Sequence, residues 1–537
     1  MRTRDTGGGL WPAELFPPRL ERTGRRLVSA LAAGVGADGA VREPCGSRVL
    51  ESALTAALLE RTGVSPGHPP SGAARDAGAA VCGFLRSRTA AGAVEGVEGV
   101  LAGAVLDRRA LAPADLGVDE VTGTAPDFTV VRKRALVHAF AAAVDEKFLP
   151  CWDEAAFSPA GLHSWARVQV TASKVILAKA TGNTARISDE DVRLLLDTQG
   201  RPHLWEGNVL IHLSVLHALS GLPGTGRTVR EGLRRALAHQ RPDGGLPFVT
   251  DTDTWCTATA GVALAASGAP QEVLDRIAAH LVERQLPGGG WSYTDLSCQA
   301  DVDDTSVAVQ FLHSLDPVRF QEPVARGIGS MLSVAAPDGG FPTYVAGAPS
   351  EACMTAAVVD ALTVRPHAHT GRIRAGLSYL AARQRPDGSF PPDWSSSRLH
   401  TVFRVLLAAT RNGGERSAEV HRMVRRSMRL VLARQNGDGG WGRQEGDASD
   451  VISTAYGLIA VCGQDDPGPA IAASAFLVEA EHDGRVRGAR SDSIGPRPFV
   501  FTVPVLADIF TVLALGHLAR RTTPASDISG RQLAGVR

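Results

Sequence analysis

Apolar residues recur every three or four positions over Val49–Glu60, Ser173–Ala180, Val209–Leu219, Ser306–Ser314 and Val451–Val461, and Gly or Pro clusters separate these stretches. That period is one face of an α-helix, and strand signals are sparse, so the pattern predicts an almost entirely helical protein. The weakest stretch is 61–99, rich in Gly, Ala, Ser and Pro, where a long connection or frayed helices are expected.

Superimposed on the helical pattern is a repeat. It reads QRPDGGL from Gln240, QLPGGGW from Gln285, APDGGF ending at Phe341, QRPDGSF from Gln384 and QNGDGGW from Gln435. The bulky residue falls at 246, 291, 341, 390 and 441, a period of about 50 residues, which is room for two helices and two turns. Each copy reads as a helix ending near the Gln, a Gly-rich turn with φ > 0, and a large side chain folded back onto the next helix. Such hairpins bury their apolar faces only by stacking, and stacking with constant curvature closes a double ring of inner and outer helices; an open solenoid is the alternative.

Composition narrows the partners. A chain of 537 residues with 44% hydrophobic content has room for two large domains or three small ones. Lys+Arg and Asp+Glu both number 56, so no overall field argues for nucleic acid or an anionic membrane surface. Lysine occurs only at 133, 147, 174 and 179, a bias toward Arg that reads as coding preference rather than a recognition surface. Seven scattered cysteines, at 45, 82, 151, 256, 298, 353 and 462, include no CxxC and argue against a disulfide framework or zinc ribbon. With no apolar run of signal or membrane-spanning length, a cytoplasmic protein without stable membrane insertion is expected.

The chemistry concentrates in Asp301-Val302-Asp303-Asp304-Thr305, ten residues after the turn that ends at Trp291. Asp and Thr favour helix N-caps, and first-turn carboxylates are stabilised by the helix dipole, which accounts for one such Asp. Three in four residues need another reason, because only one caps and like charges repel. Crowded carboxylates split their titrations, and in a dry cavity one stays protonated. A neutral carboxylic acid so placed is a Brønsted acid suited to an alkene or epoxide.

DxDDT combined with Gln-x(5)-aromatic repeats resembles the class II terpene cyclases. Residues 200–221, GRPHLWEGNVLIHLSVLHALSG, and 152–165, WDEAAFSPAGLHSW, are similar to two further segments of that family, and the likeness covers about 42–516. It implies an all-α fold of two α-barrel domains. The γ domain would span 45–265, and the β domain would combine an N-terminal helix within 1–40 with 270–525, leaving 526–537 as a disordered tail.

By the same resemblance Asp303 is the general acid, Asp301 and Asp304 tune it, and Thr305 fixes the helix start. The reaction implied is protonation of the terminal alkene of a linear prenyl diphosphate, giving a tertiary cation that closes into a decalin with the diphosphate retained. No class I DDxxD motif competes, since Val307 stands where its last Asp would be. A cation in an apolar cavity calls for π faces. Of the available aromatics (Trp255, Trp291, Tyr293, Phe341, Tyr344, Trp394, Phe403, Trp441, Phe499, Phe501), Tyr344, Trp394 and Phe499 lie outside the repeat consensus and are the preferred candidates. Asp153 and Glu154 fall at the family's acidic motif and are expected to hold Mg²⁺ with the diphosphate, Lys174 to reach the phosphates, and Asn208 with His212 or His217 to serve the terminating base. The substrate expected is farnesyl diphosphate, with geranylgeranyl diphosphate as the alternative. Two other readings of the repeats are a zinc-dependent prenyltransferase barrel, using Asp295, Cys298 and His367 or His369, and a non-catalytic binding barrel.

Overall fold

The computed structural model describes residues 10–63, 72–92, 94–123, 129–411, 417–487, 489, 493 and 499–522. Helix α1 (Leu20–Ala33) is followed by α2 (Val49–Gly63), α3 (Gly72–Ala90), α4 (Gly96–Asp107), α5 (Val118–Gly123), α6 (Val130–Val144), α7 (Ser164–Ala180), α8 (Asp189–Asp197), α9 (Val209–Leu219) and α10 (Gly226–Leu237). The chain then forms α11 (Asp253–Ala266), α12 (Gln271–Glu283), α13 (Val302–Leu315), α14 (Gln321–Ser333), α15 (Ala352–Leu362) and α16 (Pro366–Arg383). It ends with α17 (Leu399–Arg411), α18 (Ala418–Ala433), α19 (Val451–Val461), α20 (Gly468–His482) and α21 (Leu506–Thr522). Ala-rich α3 and α4 occupy most of the stretch expected to be loose, with Val81, Leu85, Leu101 and Ala102 fully buried. Ala is the best helix former, and it outweighs the scattered Gly there. The expected disordered tail at 526–537 lies outside the described residues.

Two compact units result. The first comprises 1–43, 252–492 and 504–537, and the second 44–251 with 493–503. The break falls at 251/252 rather than 265 because α11 packs between α13 and α21 in the first unit.

In the first unit α11, α13, α15, α17, α19 and α21 contact one another in sequence, and α21 returns to α11, closing an inner ring. Each of α12, α14, α16, α18 and α20 packs outside the inner helix that precedes or follows it, and α1 lies against α20, α21 and α11. The division follows from the sequence: α15 and α19 are buried along their whole length, whereas outer helices such as α18 bury one stripe. The repeat supplies the joints. Gln285 donates its amide to Gly289 O (2.7 Å) and to Pro323 O of α14 (2.8 Å), and Gln435 does the same to Gly439 O (2.8 Å) and Pro469 O (2.9 Å). Gly289 sits at φ +89°, and a Cβ there would lie 2.6 Å from Arg326 O, so both conformation and space demand Gly. The bulky residue is buried beneath the turn, and its anchor is the helix before the turn: Trp291 and Trp441 donate their indole N–H to Leu281 O (2.7 Å) and Val431 O (2.8 Å). A Cβ on Gly457 of α19 would meet the Trp441 ring at 2.4 Å. Gly457→Ala is therefore expected to cost about 1–3 kcal/mol through overpacking, despite Ala's better helix propensity, as read from urea unfolding.

In the second unit α2 contacts α3, α4, α6 and α9, and a short antiparallel pair joins Ser47–Arg48 (β1) to Leu246–Pro247 (β2). Segment 499–503 is tied to this unit by the bond from Gly46 N to Thr502 O (2.8 Å).

Candidate active site

The acid triplet forms the mouth of α13. Asp301 is extended (φ −127°, ψ 163°) and caps the helix, its Oδ1 accepting from Asp304 N at 2.8 Å. Its backbone N–H donates to Trp291 O (3.0 Å), and Thr305 Oγ1 accepts from Trp291 N (2.9 Å) while donating to Asp301 O (2.6 Å). The repeat turn therefore sets the register of the triplet directly.

The three carboxylates have different surroundings. Asp301 and Asp304 are buried (5% and 4% exposed), whereas Asp303 is partly open. Burial raises Asp301 to about 6. Burial, reinforced by the neighbouring Asp301, lifts Asp304 well above the usual carboxylate range. Of the two buried carboxyls, Asp304 is thus the one whose neutral form is favoured most. Asp303 accepts a 2.5 Å ion-paired hydrogen bond at Oδ1 from Arg404 Nη1 of α17.

The same register recurs at the mouths of α15 and α19: DVDDT at 301–305 is matched by EACMT at 351–355 and DVIST at 450–454, each with the Thr Oγ1 accepting from the N–H of the bulky turn residue, whereas at α17 Thr401 of SRLHT (397–401) turns to Asp393 instead. Cys353 stands where Asp303 does, and His400 lies in the first turn of α17. These two residues, which the sequence reading passed over, meet: Cys353 Sγ lies 3.5 Å from His400 Nδ1, which is 3.0 Å from Asp393 Oδ2. Asp393 also accepts from Thr401 Oγ1 and from Ser395 N (2.8 Å). Among the described residues this trio alone groups three metal-binding side chains, within 4.8 Å. One imidazole nitrogen faces both partners, and Asp393 is already hydrogen-bonded at both oxygens, so the group is satisfied as an ion pair. Burial pushes His400 down, but Cys353 and Asp393 outweigh it and raise His400 to about 10. A raised histidine stabilises the fold fully below its ordinary 6.5, and that contribution is lost as pH climbs toward 10. Urea-unfolding stability should therefore decline between those values in the parent protein, and decline less in His400→Gln.

Aromatic rings line this region. Tyr344 and Trp394 meet edge to face at 6.2 Å, with Asp301 and Asp304 among the charges acting on the Tyr344 hydroxyl, and Trp394 Nε1 donates to Glu351 Oε2 (3.2 Å). Phe403 stacks on Tyr456 at 4.8 Å, and Phe510 meets Tyr456 edge-on at 4.9 Å; Tyr456 and Phe510 were not among the expected candidates. Trp291, Phe341 and Trp441 are wholly buried packing residues.

The remaining expected residues have other occupations. Phe499 belongs to the second unit, edge-on to Phe140 (6.2 Å) and 5.5 Å from the buried Arg48 guanidinium. Lys174 pairs with Asp191 at 2.7 Å. Asn208 Oδ1 caps α9 by accepting from Ile211 N (3.0 Å), and His212 Nε2 is 2.9 Å from Gly232 O, with burial lowering its pKa to about 4. His217 faces Leu54 O at 2.9 Å. Asp153 and Glu154 are exposed; Asp153 caps a 3₁₀ turn through Ala155 N (3.0 Å), and Glu154 engages Trp152 Nε1 (3.0 Å) and Arg186 (3.2 Å). The zinc set is not assembled: Asp295 is bound by Thr254 Oγ1 (2.9 Å) and Arg284 (3.3 Å), while Cys298 and His367 are exposed.

A barrel of paired helices with DxDD at an inner helix mouth defines a protonation-initiated cyclase, and comparison with known proteins agrees. The chain belongs to the class II terpene cyclases: residues 253–517 match the squalene-hopene cyclase C-terminal domain family. Over 511 residues, 92% of this chain and 93% of the relative, it is 37% identical to a drimenyl diphosphate synthase of Streptantibioticus cattleyicolor. A drimenyl diphosphate synthase of Streptomyces showdoensis is likewise 37% identical over 517 residues, 93% and 95% of the two chains. The ent-copalyl diphosphate synthase of Streptomyces platensis shares the fold, with a TM-score of 0.53 at 18% identity, covering 94% of this chain and all of that one. No helix among the described residues is long and apolar enough to cross a membrane.

Proposed function

We propose that this cyclase converts farnesyl diphosphate to drimenyl diphosphate, retaining the diphosphate. The observation that carries the proposal is the likeness, over nearly the whole chain, to two drimenyl diphosphate synthases. Asp303 delivers the proton. Its O–H bond breaks toward the terminal alkene, the alkene π pair forms the new C–H bond, and the tertiary cation left behind is captured by the next alkene, closing two rings before a proton is lost. Asp304, whose carboxyl burial lifts well above the usual range, and Asp301, raised to about 6, favour retention of a proton within the triplet. Tyr344, Trp394 and the Phe403–Tyr456 pair offer π faces rather than anions to the cation.

Mg²⁺ enters this proposal as the counter-ion of the diphosphate, a hard cation for hard oxygens. Asp153 and Glu154 do not form a converged site for it, because their carboxylates already serve Ala155 N, Trp152 and Arg186. No step is routed through the ion.

The test is incubation of the purified protein with farnesyl or geranylgeranyl diphosphate and Mg²⁺, followed by dephosphorylation and identification of the alcohols. A bicyclic C15 alcohol as the more efficiently formed product is expected. A labdane alcohol formed with higher kcat/KM would move the assignment to the C20 substrate, and absence of any bicyclic product would sink the reading.

A further inference from the structure

We infer that Arg404 is a positioning residue for the proton transfer, holding Asp303 by one oxygen so that its acidic proton sits on the other. This rests on the proposed role of Asp303 as the acid. The guanidinium is buried (9% exposed) and binds Asp303 Oδ1 at 2.5 Å. A proton taken up by Asp303 is thereby confined to Oδ2.

Three features make the pairing specific. In the inner ring α15 stands between α13 and α17, so the bond from Arg404 to Asp303 reaches past the intervening helix. Other acids close enough to act on Arg404 have partners elsewhere: Asp360 takes a bidentate pair from Arg411 (3.0 and 2.9 Å), and the Asp304 carboxyl shares a hydrogen bond with that of Asp301. One turn before Arg404, His400 is neutralised by Asp393, so Arg404 does not have to balance that carboxylate. A buried arginine costs desolvation that a packing residue would avoid, which favours a functional reason for its presence.

The chemistry it serves balances without its own proton. As the Asp303 Oδ2–H bond breaks, the electron pair stays on the carboxylate, the proton joins the alkene carbon, and positive charge appears on the tertiary carbon. Arg404 keeps all its hydrogens. Its charge-assisted bond strengthens as the carboxylate forms, so it stabilises the transition state more than the resting acid.

The experiment compares Arg404→Gln, Arg404→Lys, Asp303→Asn and the double variant R404Q/D303N in the full-length protein, measuring kcat and KM with farnesyl diphosphate, the solvent deuterium isotope effect on kcat, and thermal melting. Arg404→Gln is expected to lower kcat about 100-fold with KM within about threefold, to raise the isotope effect as protonation becomes limiting, and to leave D303N no worse in the double variant. Arg404→Lys should recover part of kcat. A kcat within about threefold of the parent in R404Q, or a loss that tracks melting temperature with no change in isotope effect, overturns the inference. If D303N itself cyclises normally, the acid assignment fails; if D303N is inactive while R404Q is not, only the role of Arg404 fails.

Discussion

Asp303→Asn is expected to lower cyclisation of the prenyl diphosphate by about 10³-fold or more, because on the proposed reading it removes the proton donor, and to cost some stability as well, because it removes the carboxylate charge paired with the buried Arg404. Asn keeps an oxygen at the Oδ1 position, so Arg404 retains an acceptor for the 2.5 Å bond that it makes to Asp303. The helix mouth is also preserved, since the cap belongs to Asp301 and the register bonds to Thr305 and Trp291. Asp304→Asn separates this effect from loss of charge. Burial favours the neutral form of Asp304, which an amide resembles, so a clearly smaller loss of turnover is expected. Turnover assays paired with melting curves on the two variants decide the matter. Equal losses at both positions would mean that the proton is delivered by the pair as a unit, and full activity in D303N would remove Asp303 from the chemistry.

The features legible in the sequence are those whose physical cause is local. Gly289 needs its conformation wherever the turn occurs, and the repeat Gln bonds within its own turn at Gly289 O, so the double ring follows from short-range pattern. The triplet is local too, since one cap explains one Asp and leaves two over. Arg404 and Asp393 could not be read in this way. They lie about a hundred residues from Asp303, in a chain whose cations are nearly all Arg, and only closure of the ring brings α17 within reach of α13. A signal for Cys353 did exist: aligning the residues that follow each turn places it at the position of Asp303. At Asn208, His212 and Lys174 the structure supplies a structural role that the sequence did not show, for a shared reason. A polar group in an apolar setting needs a partner, and in these cases the partner is a helix end, a backbone carbonyl or Asp191.

That the triplet is an elaborated repeat position has a further consequence for stability and activity together. Trp291→Ala should cost about 3–5 kcal/mol of unfolding free energy, since a fully buried indole and its 2.7 Å bond to Leu281 O are lost from between α12 and α14. Trp441→Ala should cost about the same, because Trp441 is equally buried, donates to Val431 O at 2.8 Å and receives the next helix in the same register through Asp450 N (2.9 Å) and Thr454 Oγ1 (3.0 Å). Their effects on turnover should differ. The main chain of Trp291 holds Asp301 N and Thr305 Oγ1, so a collapse around the cavity shifts the acid triplet, whereas the main chain of Trp441 holds the DVIST mouth of α19, where Ile452 occupies the position of Asp303. Measured at low temperature and normalised to folded protein, W291A is expected to lose turnover at least tenfold more than W441A, roughly the effect of misplacing a catalytic group by a fraction of an ångström. Equal turnover per folded molecule in the two variants would show that the turn supports the barrel without setting the position of the acid.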